Sequence, residues 1–469
     1  MPSSIANHPE RLFPADPGVR EIARSLHSTV ENLPIISPHG HVDAAMIAND
    51  TPFPDPTAML LSPDHYVTRL LHANGVPLEA LRVGGTTKAT ALEAWTVFCR
   101  HWNDFDGTAS GYWLRQEFVD VFGIDDLDIR EETAQVSFDA IQAKINEPGF
   151  RPRALMNSFN IEVMATTDDP LDDLVAHRAL AQDPSFTSRV LPTFRPDAYI
   201  KFWLPQFADN ADKLIQTAGD GATGYDGYLA AMANRRRYFV ENGAVSSDHG
   251  AQTAATLKLG RDEAAALFAK GLAGTATREE ALAFEAHMMY QQAAMAVEDG
   301  LVMTLHPGVH RNTHEATLSA FGADTGHDIP FAVDFAGGLQ PLLNDFGTAK
   351  DFHFIPFTID ETVFSREIAP LAGFFPSVYI GAPWWFLDAP DAMLRFRSAV
   401  TETAGFSRSS GFIDDTRAFC SIPARHDASR RIEASFLARL VAEHRITEER
   451  AHEIIVDVVD AAPRRAFKL

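Results

Sequence analysis

The sequence predicts an α/β fold: a distorted (β/α)8 TIM-type barrel with a helical insertion after strand 1 and C-terminal helices. Three observations carry that prediction. Eight short apolar runs end in polar or charged residues, and from about residue 160 they alternate with helical stretches. More than a hundred residues of helical pattern separate the first run from the second. Strands alternating with helices call for parallel pairing through right-handed crossovers, and eight such units suit a closed barrel better than an open sheet.

In chain order, residues 1–32 read as an N-terminal helical segment and 33–469 as the barrel, with 44–158 as a mainly helical insertion. The first strand lies in "LPIISPHGHVD", Leu33 to Asp43, and ends on two histidines that flank one glycine. In "SPDHYVTRLLHANGV", Ser62, Pro63 and Asp64 are helix-start signals, Leu70 and Leu71 give a buried face, and Gly75 is a stop. Leu92, Trp95, Phe98, Cys99 and Trp102 repeat at helical spacing and read as the insertion's core. The remaining strands are "IEVMATTDD", "RVLPTFRPD", "GAVSSDHG", "LVMTLHPG", "FHFIPFT", "SVYIGAPWW" and "SGFIDDTR". Ile432, Phe436, Leu437, Leu440 and Val441 mark one amphipathic closing helix, and Ile454, Ile455, Val458 and Val459 another.

Composition narrows the function. Among 469 residues, 46% are hydrophobic and 22% charged, the usage of a folded globular chain. The formal net charge of −23 repels phosphate backbones and anionic membranes, which argues against nucleic-acid and membrane partners. An anionic substrate then needs a local basic pocket set against the global field. Two cysteines, Cys99 and Cys420, are too few for a disulfide framework, and the start of the chain shows no leader-like apolar run, so a cytoplasmic location is expected.

The polar strand ends are where barrel enzymes place their chemistry. His39, His41, Asp168, Arg195, His249, His306, Trp385, Asp415 and Arg417 are expected to converge there. An isolated H-x-H pair is weak evidence for a metal, but His39 and His41 end the first strand while His306 ends the fifth and Asp415 the eighth. Imidazoles with a carboxylate suit zinc or a similar divalent ion. Along "GFIDDTR" alternation turns Asp414 and Asp415 to opposite sides, and Asp415 shares a face with Arg417. Arg195 and Arg311 are candidates for bidentate contacts to a carboxylate, and Trp385 for a pocket wall. For His65 and Tyr66, spacing alone leaves a surface cap and a functional role equal.

These residues carry a resemblance. Through "PHGHVD", "DHYVTRLLHANGV", "TTDDPLDDL", "LPTFRPD", "SDHG", "LHPGVHRN", "FGADTGHD", "GAPWWF" and "DDTRAF", the chain resembles the uronate isomerases (glucuronate isomerase) of the amidohydrolase superfamily, from about residue 30 to the C-terminal helices. The resemblance implies interconversion of aldose and ketose hexuronates, chiefly glucuronate with fructuronate and galacturonate with tagaturonate. It implies His39 and His41 as ligands of a divalent metal, zinc foremost, with Asp415 as third ligand or catalytic carboxylate. Tyr66 and Arg417 become partners in proton transfer, and His65, Arg195 and Trp385 substrate-binding residues; Arg311 and His306 join them as substrate-binding candidates from their own places in the sequence. The expected partner is a small-molecule hexuronate, with a homo-oligomer left open. "SPHGHVD" and "FTIDETVF" depart from the usual family pattern, so the roles of Asp43 and Glu361 stay open, as does that of His249. Two rival readings remain: a metal-dependent hydrolase of the same superfamily, for which no lysine ends the fourth strand, and a sugar-acid binding protein that has lost catalysis.

Overall fold

The computed structural model describes residues 8–84, 89–124 and 128–469. Residues 1–7 of the N-terminal segment, and 85–88 and 125–127 of the insertion, lie outside the described residues. Parallel strands β1 (Ile35–Ser37), β2 (Ile161–Ala165) and β3 (Arg189–Leu191) form one ladder. A second runs through β4 (Thr193–Phe194), β5 (Ser246–Ala251) and β6 (Val302–Pro307). Past a short hairpin of β7 (Val309–His310) and β8 (Ile329–Pro330), β6 pairs with β9 (Phe354–Pro356). The third run is split because Pro192, between β3 and β4, has no N–H to give a ladder. A bridge from Asp168 to Phe194 rejoins the two ladders.

The seventh and eighth runs are thinner than their sequences predict. Single parallel bridges, Phe354 to Val378 and Ile380 to Ser409, carry the sheet onward. Gly381 lets the seventh run pass close to its neighbour, since a Cβ there would meet the Phe357 ring at 2.6 Å. The ring closes where the His41 N–H donates to the Thr416 carbonyl at 3.0 Å. That bond sets the end of the first strand directly against the end of the eighth.

The hairpin of β7 and β8 is absent from the sequence reading, because two-residue strands are too short to show alternation. Around the barrel, the helix Pro17–Val30 packs Ala23, Leu26 and Val30 against Leu437 and Ile455 of the closing helices Ile422–Ala442 and Glu448–Val456. The helices between β1 and β2 bury Trp95, Phe98 and Phe105 around their own centre, continuous with residues of β1 and β2. Among the described residues, no helix is long and apolar enough to cross a membrane.

One buried acid in that region gives a pH test. Glu117, on the helix Ala109–Asp120, is pushed up to about 8 by burial and by the charge of Asp64, with Arg425 opposing. An unfolded glutamate loses its proton near its ordinary value of 4.5, whereas the folded one keeps it to about 8. Folding therefore takes up a proton between these values, and stability falls as pH rises through them. Glu117→Gln, which is neutral throughout, is expected to raise the melting temperature at pH 8 and to leave it nearly unchanged at pH 4, as read by calorimetry.

Candidate active site

His39 and His41 follow β1, and the pair meets Asp415 from the far side of the ring closure. Asp415 Oδ1 lies 3.2 Å from His39 Nε2 and 3.0 Å from His41 Nε2. It is buried and has no hydrogen-bond partner of acceptable geometry. Two donor atoms on one divalent ion, each about 2.1 Å from it, sit about 3.0–3.4 Å apart at angles between octahedral and tetrahedral. The spacing, the unpartnered oxygen and the donor set therefore fit a divalent metal. Burial holds the His41 imidazole below its ordinary value against the pull of Asp415, which keeps a nitrogen lone pair available. The backbone of Asp415 is left-handed, φ 42°, a strained state for a non-glycine residue that clusters at functional sites.

The neighbouring Asp414 turns the other way, with Oδ2 3.1 Å from His426 Nε2 on the closing helix. Below the metal-ligating candidates, Asp248 Oδ1 accepts from Thr304 Oγ1 and sits 2.7 Å from His306 Nδ1, while Oδ2 lies 3.4 Å from Arg195 Nε. His306 contacts the rings of both His39 and Phe357, centroids 4.7 and 4.3 Å away, and its Nε2 is buried without a protein partner. Arg195 is also 3.5 Å from Asp197, so its charge is flanked by two carboxylates.

A cavity of about 510 Å³ opens above, lined by His41, His65, Tyr66, Arg311, Trp385, Asp415, Arg417 and Arg425 among others. Asp64 caps the helix His65–Ala73 by accepting the Tyr66 N–H at 2.9 Å, which fixes His65 and Tyr66 in the first turn. Their rings stack, and His65 also meets Trp385 at 5.3 Å. His65 Nδ1 and Trp385 Nε1 are buried without protein partners, a state that polar ligand atoms relieve. Arg311 lies over the Trp385 ring at 4.8 Å, and Asp324 faces both Arg311, at 3.8 Å, and Arg417, at 3.3 Å. The arginines supply the local positive field that the chain's overall charge lacks.

Not every strand-end candidate faces this cavity. Asp168 is engaged within the sheet, accepting from Thr166 Oγ1 at 2.7 Å and the Thr193 N–H at 3.0 Å. His249 turns away from Asp248 by strand alternation and pairs its Nδ1 with the Thr304 carbonyl at 2.9 Å. Asp43 caps the helix Ala44–Ala48 through the Ala45 N–H, and Glu361 forms a bidentate pair with Arg395. Sequence reasoning missed Asp248, although period-two alternation from His249 was a signal for it. It also missed Asp388, which accepts from the Tyr66 hydroxyl, and Arg425, which donates to Asp388.

The glucuronate isomerase family model matches residues 19–467. A uronate isomerase of Corynebacterium efficiens is 60% identical over 469 residues, covering 100% of both chains. The crystal structure of glucuronate isomerase from Caulobacter crescentus superposes with a TM-score of 0.96 at 45% identity, covering 98% of this chain and 96% of that one. The uronate isomerase of Thermotoga maritima superposes with a TM-score of 0.92 at 28% identity, over 98% of this chain and 99% of that one. With a family match over nearly its whole length and relatives aligned from end to end, the chain belongs to the glucuronate isomerase family.

Proposed function

We propose that the chain interconverts aldose and ketose hexuronates, D-glucuronate with D-fructuronate and D-galacturonate with D-tagaturonate, by proton transfer from C2 to C1 through an enediolate. The observation that carries the reading is one cavity in which an ionised carboxylate, a phenol and several arginines face each other. Moving a carbonyl from C1 to C2 needs a base for the C2 proton, a donor to C1 and a cation beside the oxyanion between them.

Asp415 takes the C2 proton and returns it to C1. Burial would raise its carboxyl, but His39 and His41 outweigh burial and keep it ionised. With Oδ1 toward the imidazoles, Oδ2 is left for the substrate. Arg417 stabilises the developing oxyanion, Tyr66 exchanges a hydroxyl proton between O1 and O2, and Arg311 pairs with the C6 carboxylate. His65, Trp385 and His306 satisfy sugar hydroxyls with polar atoms that have no protein partner. Arg195 sits deeper, where its charge offsets Asp248 and Asp197 and fixes the floor of the substrate site. His39, His41 and Asp415 would hold zinc, and a bound divalent ion supplies Lewis-acid stabilisation of negative charge on oxygen.

Residues 44–158, the insertion that follows strand 1 within the barrel 33–469 and after the segment 1–32, supply His65 and Tyr66 and so form one wall of the site. The free thiols of Cys99 and Cys420 support a reducing cytoplasm. The test is proton NMR of the metal-supplied protein with glucuronate, and separately galacturonate, in heavy water. Ketose carrying solvent deuterium at C1 is the expected outcome. Neither sugar changing would sink the isomerase reading, and solvent deuterium at C1 would exclude hydride transfer, which carries the C2 hydrogen over without exchange.

A further inference from the structure

We propose that Asp388, pinned by Arg425, is the positioning residue of Tyr66: its carboxylate fixes the phenol hydrogen and accepts the proton that Tyr66 relays between the two substrate oxygens. This rests on the reading of Tyr66 as a proton-transfer partner.

Tyr66 projects into the cavity from the first turn of its helix, and its hydroxyl donates to Asp388 at 3.0 Å to Oδ1 and 3.1 Å to Oδ2. The same oxygen accepts the Phe386 N–H at 3.3 Å. That amide reaches Tyr66 because Trp385 and Phe386 both adopt left-handed backbone, φ 28° and 62°, which folds the chain back between the cavity wall and Asp388. Strain of this kind persists only where surrounding contacts over-determine it, and here the phenol bonds to the turn and to the carboxylate that follows it. On the other side, Arg425 Nη1 donates to Asp388 Oδ2 at 2.9 Å and Nε to Ser421 Oγ at 3.0 Å, with the guanidinium 3.6 Å above the Trp113 ring. Asp388 is 6% exposed and Arg425 2%, so water does not compete for either.

The consequence is directional. With its hydrogen committed to Asp388, the phenol presents only acceptor capacity to the cavity. When the substrate O2–H bond breaks, its proton passes to the Tyr66 oxygen as the original phenol proton passes to Asp388. Asp388 then returns a proton to Tyr66 as Tyr66 protonates O1, and both side chains finish as they began. Burial raises the Asp388 carboxyl above its ordinary value, with Arg425 opposing, which suits a carboxylate that must hold a proton briefly.

A purely structural Asp388 would only neutralise Arg425 and tie the closing helix to the insertion, and a double-mutant cycle on kcat separates the two roles. In assays with glucuronate, Tyr66→Phe is expected to lower kcat at least about tenfold. Asp388→Asn is expected to lower kcat on the order of tenfold to a hundredfold with KM changed less than about threefold. The double variant is expected to be no slower than Tyr66→Phe alone, within about twofold. Multiplying losses, or an Asp388→Asn enzyme with full kcat, would overturn the inference while leaving Tyr66 in place. A Tyr66→Phe enzyme with full kcat would remove the reading of Tyr66 and the inference with it. Should Asp388→Asn fail to fold because Arg425 is left as an unpaired buried cation, Asp388→Asn with Arg425→Gln removes both charges together and carries the same cycle.

Discussion

Asp415→Asn is expected to lower kcat by about a thousandfold or more on both glucuronate and galacturonate, the scale of removing a general base from its proton. The substitution keeps the shape of the side chain and removes the charge. In the folded protein that charge faces His39 Nε2 and His41 Nε2 at 3.2 and 3.0 Å, and an amide oxygen is a weaker partner for either a proton or a metal ion. The exchange of the C2 proton with solvent should therefore fall in step with turnover, because one group is assigned to both. Metal content per chain, measured on the purified variant, should fall as well. KM should move by less than about tenfold, since the carboxylate end of the substrate is assigned to Arg311. A variant within about tenfold of the parent kcat would remove Asp415 from the chemistry.

Asp415 was legible in the sequence for a physical reason. Strand alternation has period two, and it separates Asp415, at the cavity, from Asp414, on His426, although the left-handed backbone of Asp415, φ 42°, is not the extended one that alternation assumes. The same rule applied one step differently would have chosen Asp248 over His249. The barrel was legible because parallel strands buried on both faces read as short apolar runs. What could not be read is whatever depends on contacts between distant segments. Tyr66 and Asp388 are 322 positions apart, and Arg425 lies on a helix whose apolar spacing marks it only as structural. The turn that brings Asp388 back to Tyr66 consists of non-glycine residues at positive φ, which carry no sequence signal of their own. Pro192 could have predicted the break between β3 and β4, while the reduction of the seventh and eighth strands to single bridges has no such local signal.

Arg311→Met is expected to raise KM for uronates by about a hundredfold while lowering the melting temperature less than Arg195→Met does, and that separation of binding from stability is its diagnostic value. A charge-assisted bidentate pair contributes about 1.5–3 kcal/mol, roughly ten- to 150-fold in affinity. Arg311 is free to make one: its carboxylate neighbours, Asp324 and Asp328, stand 3.8 and 3.6 Å away, and its side chain is 40% exposed over Trp385. Removing it leaves Asp324 facing Arg417 at 3.3 Å and costs the buried Asp328 its ion pair at 3.6 Å, although Asp328 keeps the Asn312 N–H at 2.6 Å. Arg195 is in the opposite position. It flanks Asp248, which is 1% exposed, and Asp197, so Arg195→Met leaves buried carboxylates under-compensated and should lower the melting temperature along with activity. Arg311→Lys should recover only part of the lost affinity, because a point charge does not reproduce the planar fork. Kinetics on glucuronate alongside thermal melts of the three variants decide the matter. An Arg311→Met enzyme with unchanged KM, beside an Arg195→Met enzyme that keeps its stability and loses uronate binding, would transfer carboxylate recognition from the rim of the cavity to its floor.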